Sequence, residues 1–204
     1  MYSQGQEEKY ITEYFAGRTG TLLSIGENDG KTLSNSLRLI QLGWYAILVE
    51  PAPIAFKKLR LLHKGNASVI CINKAITETD GTFDFYDSGS HLGTGDTSLL
   101  STTVQKEMER WPGQRNEFTA RKVKGITYSS LIKEIGPKVF DFITIDAEGL
   151  DVAILKQIDL SATRMLCIEW NSNEDAKREI MAYCASHGML RLQYQNGENL
   201  IIIR

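Results

Sequence analysis

The chain predicts an α/β domain: a mostly parallel, seven-stranded sheet with helices on both faces and a C-terminal antiparallel hairpin. Three observations carry that expectation. Short β-branched runs alternate with amphipathic helical patterns along 204 residues, and a strand–helix alternation implies crossovers that pair strands in parallel. The first apolar run stops on a Gly-x-x-x-Gly turn at Gly26 and Gly30. The last two apolar runs are joined by Gln195-Asn-Gly-Glu198, and an Asn-Gly pair between strands marks a hairpin.

Taken in order, an N-terminal helical extension over 1–20 precedes a strand over 21–25. A helix over 32–42 follows, carrying Leu33, Leu37 and either Leu39 or Ile40 at helical spacing. A strand over 45–49 leads to a helix over 53–63 with Ile54, Phe56, Leu59 and Leu62 on one stripe; Pro53 stands where a first turn accepts proline. Strands over 68–72, 140–145 and 165–169 continue the pattern, with helices over 127–135, 150–157 and 173–187. Gly188 is the stop of the last helix. Strands over 190–194 and 200–203 close the sheet, one of them antiparallel at its edge. The run Thr82-Phe-Asp-Phe-Tyr86 is a further small strand, and the polar, Gly-rich stretch 87–100 after it is long enough to be a functional loop. A mostly parallel, seven-stranded sheet closed by a terminal hairpin is the layout of class I methyltransferases, a Rossmann-like fold, rather than of dehydrogenases. One domain covers 1–204.

Composition narrows the function classes. Twenty-five acids against 23 bases leave a net charge of −2 with no basic block, which disfavours nucleic acid as the main partner. The pattern Arg121-Lys-Val-Lys124 reads as the solvent face of a strand. Three cysteines, Cys71, Cys167 and Cys184, lack C-x-x-C spacing and read as reduced core residues. No apolar run approaches the ~18 residues that span a bilayer, and the polar N-terminus has no apolar h-region. A cytoplasmic protein with no membrane partner is the expectation.

Chemistry concentrates in the first third. The segment Thr21-Leu-Leu-Ser-Ile-Gly-Glu-Asn-Asp-Gly30 runs a strand into a glycine turn, where Gly26 and Gly30 permit positive φ and close approach of a ligand. Glu50 ends the second strand, at the distance where nucleotide-binding folds place an acid on a ribose diol. The turn carries Glu27 and Asp29, which would repel a pyrophosphate and suit a cationic nucleoside. S-adenosylmethionine, with its sulfonium and amino group, fits that description better than NAD.

Five motifs in order resemble the FkbM family of S-adenosylmethionine-dependent methyltransferases over roughly 22–203. They are Ser24-Ile-Gly-Glu-Asn-Asp-Gly30, Glu50-Pro51, Asn73-Lys-Ala75 with Asp80-Gly81, Thr97-Ser98, and Ile145-Asp-Ala-Glu-Gly-Leu-Asp151. The resemblance implies a class I fold, S-adenosylmethionine as cofactor and a hydroxyl acceptor on a small or carbohydrate-like molecule. It assigns the cofactor to Gly26, Glu27, Asn28, Asp29, Gly30, Glu50, Pro51, Asn73, Ala75 and Ser98. Asn28 is alternatively a turn residue, and Asn73 a strand terminator. Departures from the family pattern stand at Ser24, where Asp is usual, at Glu27, at Thr144, where Lys is common, and at Ser129. Glu27 is expected to compensate for Ser24 by meeting the methionine amino group.

Asp146, Glu148 and Glu169 fall at the carboxyl ends of adjacent strands, the edge where open α/β sheets bind ligands. Three readings stand together. Asp146 orients or deprotonates an acceptor hydroxyl with Glu148 in support; or the carboxylates hold a divalent metal; or Glu148 and Asp151 cap the helix after Leu150. No metal is counted as a cofactor. His91, in the long loop, is the one histidine placed for catalysis, since His63 and His187 lie at helix ends. Thr97, Glu169, Trp170 and Asn171 are the expected acceptor-side wall, with Trp170 alternatively core. The competing functions are a methyltransferase-like binding module without catalysis and an NAD-linked oxidoreductase.

Overall fold

A computed structural model describes residues 1–90, 98–110, 118–136 and 138–204. Helix α1 (Glu7–Tyr14) precedes β1 (Thr21–Ile25), α2 (Leu37–Gln41), β2 (Tyr45–Val49), α3 (Pro53–Leu62) and β3 (Val69–Ile72). Three strands follow, β4 (Ala75–Ile76), β5 (Gly81–Asp87) and β6 (Thr119–Ile126), with a 3-10 turn at Gln105–Arg110. Then come α4 (Tyr128–Ile135), β7 (Phe142–Ile145), α5 (Asp151–Leu155), β8 (Met165–Glu169), α6 (Glu174–Ser186), β9 (Arg191–Gln195) and β10 (Asn199–Ile203).

The seven expected strands make one sheet in the order β3-β2-β1-β7-β8-β10-β9. Every pair from β3 to β8 is parallel. β10 runs antiparallel to both β8 and β9, so the antiparallel strand lies one place inside the edge rather than at it. Such a hairpin seats its second strand inside because β10 is apolar after Asn199, Leu-Ile-Ile-Ile, and buried throughout, whereas β9 carries Arg191 and Gln193 and is half exposed.

Strand residues alternate between two cores. Leu23, Ile25, Ile47, Val49, Ile143, Ile145, Leu166 and Ile168 face Leu131 of α4, Ile154 of α5 and Ile180 of α6. Leu22, Ala46, Leu48, Phe142, Met165 and Cys167 face Ile11 of α1, Leu39 and Ile40 of α2, and Leu59 of α3. Burial on both faces is why these strands read as unbroken apolar runs. Cys167 and Cys184 are buried, Cys71 is half-buried, and all three are free thiols.

Two local expectations need correction. Helix α2 begins at Leu37 and not at 32, because side chains capture the amides a helix would use. Asp29 Oδ1 accepts from the Lys31 and Thr32 amides at 2.9 and 2.7 Å, and Leu33 takes φ 57°. The N-terminal helix covers only Glu7–Tyr14; its Phe15 cap packs edge-on against Trp44 at 4.7 Å. The stretch around Arg121 is the strand expected there, β6, with Arg121, Lys122 and Lys124 exposed; it is flanked by β4 and β5 in a separate three-stranded sheet. That sheet meets α3 through Ala52, Ala55, Ala75, Phe85 and Val123 and stands beside the carboxyl edge of the main one.

Candidate functional site

A crevice of about 600 Å³ opens at the carboxyl edge of the main sheet, a volume suited to a small-molecule ligand. Its floor is made by the turns after β1, β2 and β7, with the end of β8 at one side and Ser98–Thr103 over the other.

The turn after β1 is built around a buried carboxylate. Glu27 is 4% exposed, and its Oε1 accepts from the hydroxyls of Ser34 and Ser36, each at 2.7 Å. Ser24 adds a third side-chain hydrogen bond. The acid absent at position 24 is thus present at 27, held by three serines. Burial pushes the Glu27 carboxyl above its ordinary value, the serine hydroxyls oppose the rise, and nearby Asp29 adds to it. Removing one donor leaves this group under-satisfied. Ser36→Ala is therefore expected to cost about 1–3 kcal/mol in chemical denaturation, and a loss near zero would contradict the arrangement.

Glu50 joins two elements. Its Oε2 accepts from the Asn28 amide at 2.8 Å and its Oε1 from the Ala52 amide at 2.6 Å. Asn28 holds φ 54° and its Oδ1 accepts from the Asp29 amide at 2.7 Å, so it is a turn residue as well as a wall of the crevice. Burial raises the Glu50 carboxyl to about 7 against the two amides, with Glu27 and Asp146 adding repulsion.

On the opposite side stand Asp146, Glu148 and Glu169. One carboxylate oxygen of each lies within 4.8 Å of the others. Asp146 is open to the crevice although protein surrounds it, and burial, then Asp151, raise it to about 7 while Arg110 opposes. Water reaches it while the crevice is open, so that rise is felt in full only when an occupant excludes water. Glu148 and Glu169 are 9% and 8% exposed; burial and their mutual repulsion with Asp146 raise both well above the ordinary range. Asp151 accepts from the Ala147 and Gly149 amides at 2.8 and 3.1 Å and so braces the loop that holds Glu148 at φ 45°. Burial raises it to about 6.

Several expected residues have other surroundings. Gly26 lines the crevice, yet what forbids its side chain is protein: at φ 81° an added Cβ would lie 1.7 Å from the Asp146 carbonyl. Gly30 faces α3, where a Cβ would meet Leu59 at 2.6 Å. Asp29 braces its own turn. Asn73 donates to the carbonyls of Glu50 and Pro51 at 2.8 and 3.0 Å, shaping that turn from outside the crevice. Trp170 is core, 6% exposed, its indole donating to the Asn196 carbonyl at 2.9 Å. None of Asp29, Gly30, Asn73 and Trp170 lines the crevice, whereas Pro51, Ala75, Ser98 and Asn171 do. Ser98 donates to Asp87 at 2.7 Å. His91 and Thr97 lie outside the described residues.

Sequence reading missed Ser34, Ser36, Asn35, Thr102 and Arg110. Asn35 Oδ1 is buried without a partner among the described residues and lines the crevice. Thr102 donates to the Glu148 carbonyl at 2.7 Å. Arg110 lies 3.8 Å from Glu148 and 2.7 Å from Glu107. Of the departures, Ser129 is exposed beside Thr127, away from the crevice, and Thr144 hydrogen-bonds the Cys167 thiol.

The raised acids set a pH dependence. A carboxyl raised in the folded state holds its proton where the unfolded chain has lost it, so its stability contribution is full below about 4.5 and is lost as pH rises through the folded value. With Glu50 at about 7, and Glu27, Glu148 and Glu169 also raised, the ligand-free chain is expected to melt at a lower temperature at pH 8 than at pH 5.5. A thermal midpoint that climbs across that window would contradict this electrostatic picture.

A family model described as methyltransferase FkbM domain matches residues 24–192. Among solved structures the chain is similar to the METTL16 MTase domain, with 11% identity, TM-score 0.52, and 96% of this chain and 63% of that one covered. It is similar to monomeric WbdD at 13% identity and TM-score 0.53, covering 98% and 41%. Precorrin-6y C5,15-methyltransferase from Geobacter metallireducens GS-15 gives 11% identity and TM-score 0.51, covering 98% and 88%. At these identities the likeness concerns the fold. The chain spans less than two thirds of the METTL16 domain. No curated protein matches it by sequence. Among the described residues no helix is long and apolar enough to cross a membrane.

Proposed function

The chain belongs to the FkbM methyltransferase family, and from that premise we propose that it transfers a methyl group from S-adenosylmethionine to a hydroxyl of a small or carbohydrate-like acceptor. The observation that carries this reading is a single crevice with a ribose-competent acid on one side and three carboxylates on the other.

S-adenosylmethionine is the family's methyl donor, and the residues present fit it. Each Glu50 oxygen receives one backbone amide, and a carboxylate oxygen accepts at two sites, so one site per oxygen remains for a ribose hydroxyl. Glu27 and the unpartnered Asn35 Oδ1 offer acceptors and negative charge to a cationic, amino-bearing chain. Pro51 and Ala75 line the crevice and are the residues this reading gives to the base. When bound, the nucleoside supplies an electrophilic methyl on sulfur.

The protein's own part is positioning, an effect that reaches about 7–11 kcal/mol in well-oriented reactions. Asp146 accepts the proton of the acceptor hydroxyl or orients it, Glu148 stands behind it, and Glu169 with Asn171 walls the acceptor. Glu27 holds the amino group of the donor; Glu27→Ala leaving donor affinity unchanged would remove that role. A product screen with labelled methyl donor tests the whole reading. Label in hydroxylated small molecules or sugars supports it. Label in RNA, or in amines only, would overturn the acceptor class.

A further inference from the structure

We propose that Asp146, Glu148 and Glu169 form a binding site for a divalent cation that prefers hard oxygen ligands. The site is the acceptor side of the crevice, so the inference deepens the reading above.

Geometry comes first. Two ligands of one calcium-sized ion, each at about 2.3–2.6 Å, lie at most about 5 Å apart, and the three carboxylate oxygens fall within 4.8 Å of one another. They come from rigid places: the turn leaving β7, the loop braced by Asp151, and the last residue of β8. No large movement is needed to close them on an ion.

The second observation is an oxygen with nothing to bind. Glu169 is 8% exposed and lines the crevice; Asn171 hydrogen-bonds its carboxyl, but its Oε2 is buried with no hydrogen-bond partner among the described residues. A buried carboxyl oxygen left unpaired is costly, and two further carboxyls, those of Asp146 and Glu148, close on the same place. The wall therefore expects a positive ligand rather than a neutral one.

Charge accounting points the same way. Arg110, 3.8 Å from Glu148, brings one positive charge and also engages Glu107. Once an ion displaces their protons, the three crevice carboxylates exceed it among the described residues. A divalent ion would balance them, and its remaining coordination positions would face the crevice, where an acceptor hydroxyl or water completes the shell. Asp151 stands outside the cluster: it does not line the crevice, and its oxygens are turned to the Ala147 and Gly149 amides.

The test titrates the full chain with Mn2+ by calorimetry and electron paramagnetic resonance, with no nucleoside present. One saturable site per chain is expected, and Ca2+ should compete for it. Glu169→Gln, nearly isosteric, should weaken Mn2+ at least tenfold while circular dichroism stays native; Asp146→Asn, at the exposed ligand, should do the same. No saturable binding at millimolar Mn2+ would overturn the proposal, as would binding that both variants leave unchanged. Because the titration omits the methyl donor, its failure leaves the donor reading intact, and a chain that binds Mn2+ but takes up no S-adenosylmethionine in a separate titration would refute the donor reading alone.

Discussion

Glu50→Gln weakens S-adenosylmethionine binding about a hundredfold or more, measured by calorimetry at pH 8. A hydrogen bond to a charged group contributes about 1.5–3 kcal/mol, so losing the acceptor for two ribose hydroxyls amounts to at least ~3 kcal/mol, about two powers of ten. The amide would also turn an NH2 toward either the Asn28 or the Ala52 amide, both of which now donate to Glu50. Asn73→Ala separates the two effects. Asn73 shapes the turn through the Glu50 and Pro51 carbonyls without lining the crevice, so its loss should weaken the donor far less. For the native chain, donor affinity should improve as pH rises through about 7, where Glu50 gives up its proton. A Glu50→Gln affinity within threefold of native would remove the ribose role.

Asp146→Asn lowers the rate of methyl transfer by about 10²–10⁴, the usual contribution of a positioned acid or base, while donor affinity stays within a few-fold. The backbone supports that split, because Gly26 packs against the Asp146 carbonyl and not its side chain, and the Asp146 amide donates to the Ile25 carbonyl at 2.9 Å. Neither contact changes in the variant. Single-turnover assays with saturating donor read the rate directly. If donor affinity collapsed together with the rate, Asp146 would belong to the donor side of the crevice.

The main sheet was legible because burial on both faces leaves an unmistakable mark: runs such as Leu22–Ile25 and Ala46–Val49 carry almost no polar residue. Glu50, Asp146 and Glu169 could be placed at the crevice from sequence because each directly ends or follows such a run. The first turn of α2 was not legible, since the leucine spacing at Leu33 and Leu37 outvoted the capture of amides by Asp29. Gly30 and Trp170 looked like ligand contacts from their position beside motifs, but a glycine turn and a strand-end aromatic serve packing just as readily, against Leu59 in one case and the β9–β10 hairpin in the other. Ser34, Ser36 and Arg110 left no local signal. Their partners, Glu27 and Glu148, lie 7, 9 and 38 residues away, and only the folded chain brings them together. The missing acid at Ser24 looked like a defect in isolation; beside three serines and Glu27 it is a relocation of charge within one turn.

The most direct measurement is a crystal structure of the chain grown with millimolar S-adenosylhomocysteine. The expected electron density lies along the carboxyl edge of β1 and β2, with both ribose hydroxyls within hydrogen-bond distance of Glu50 and the sulfur toward Asp146. A crevice without nucleoside, or a nucleoside whose ribose rests elsewhere, would contradict the account.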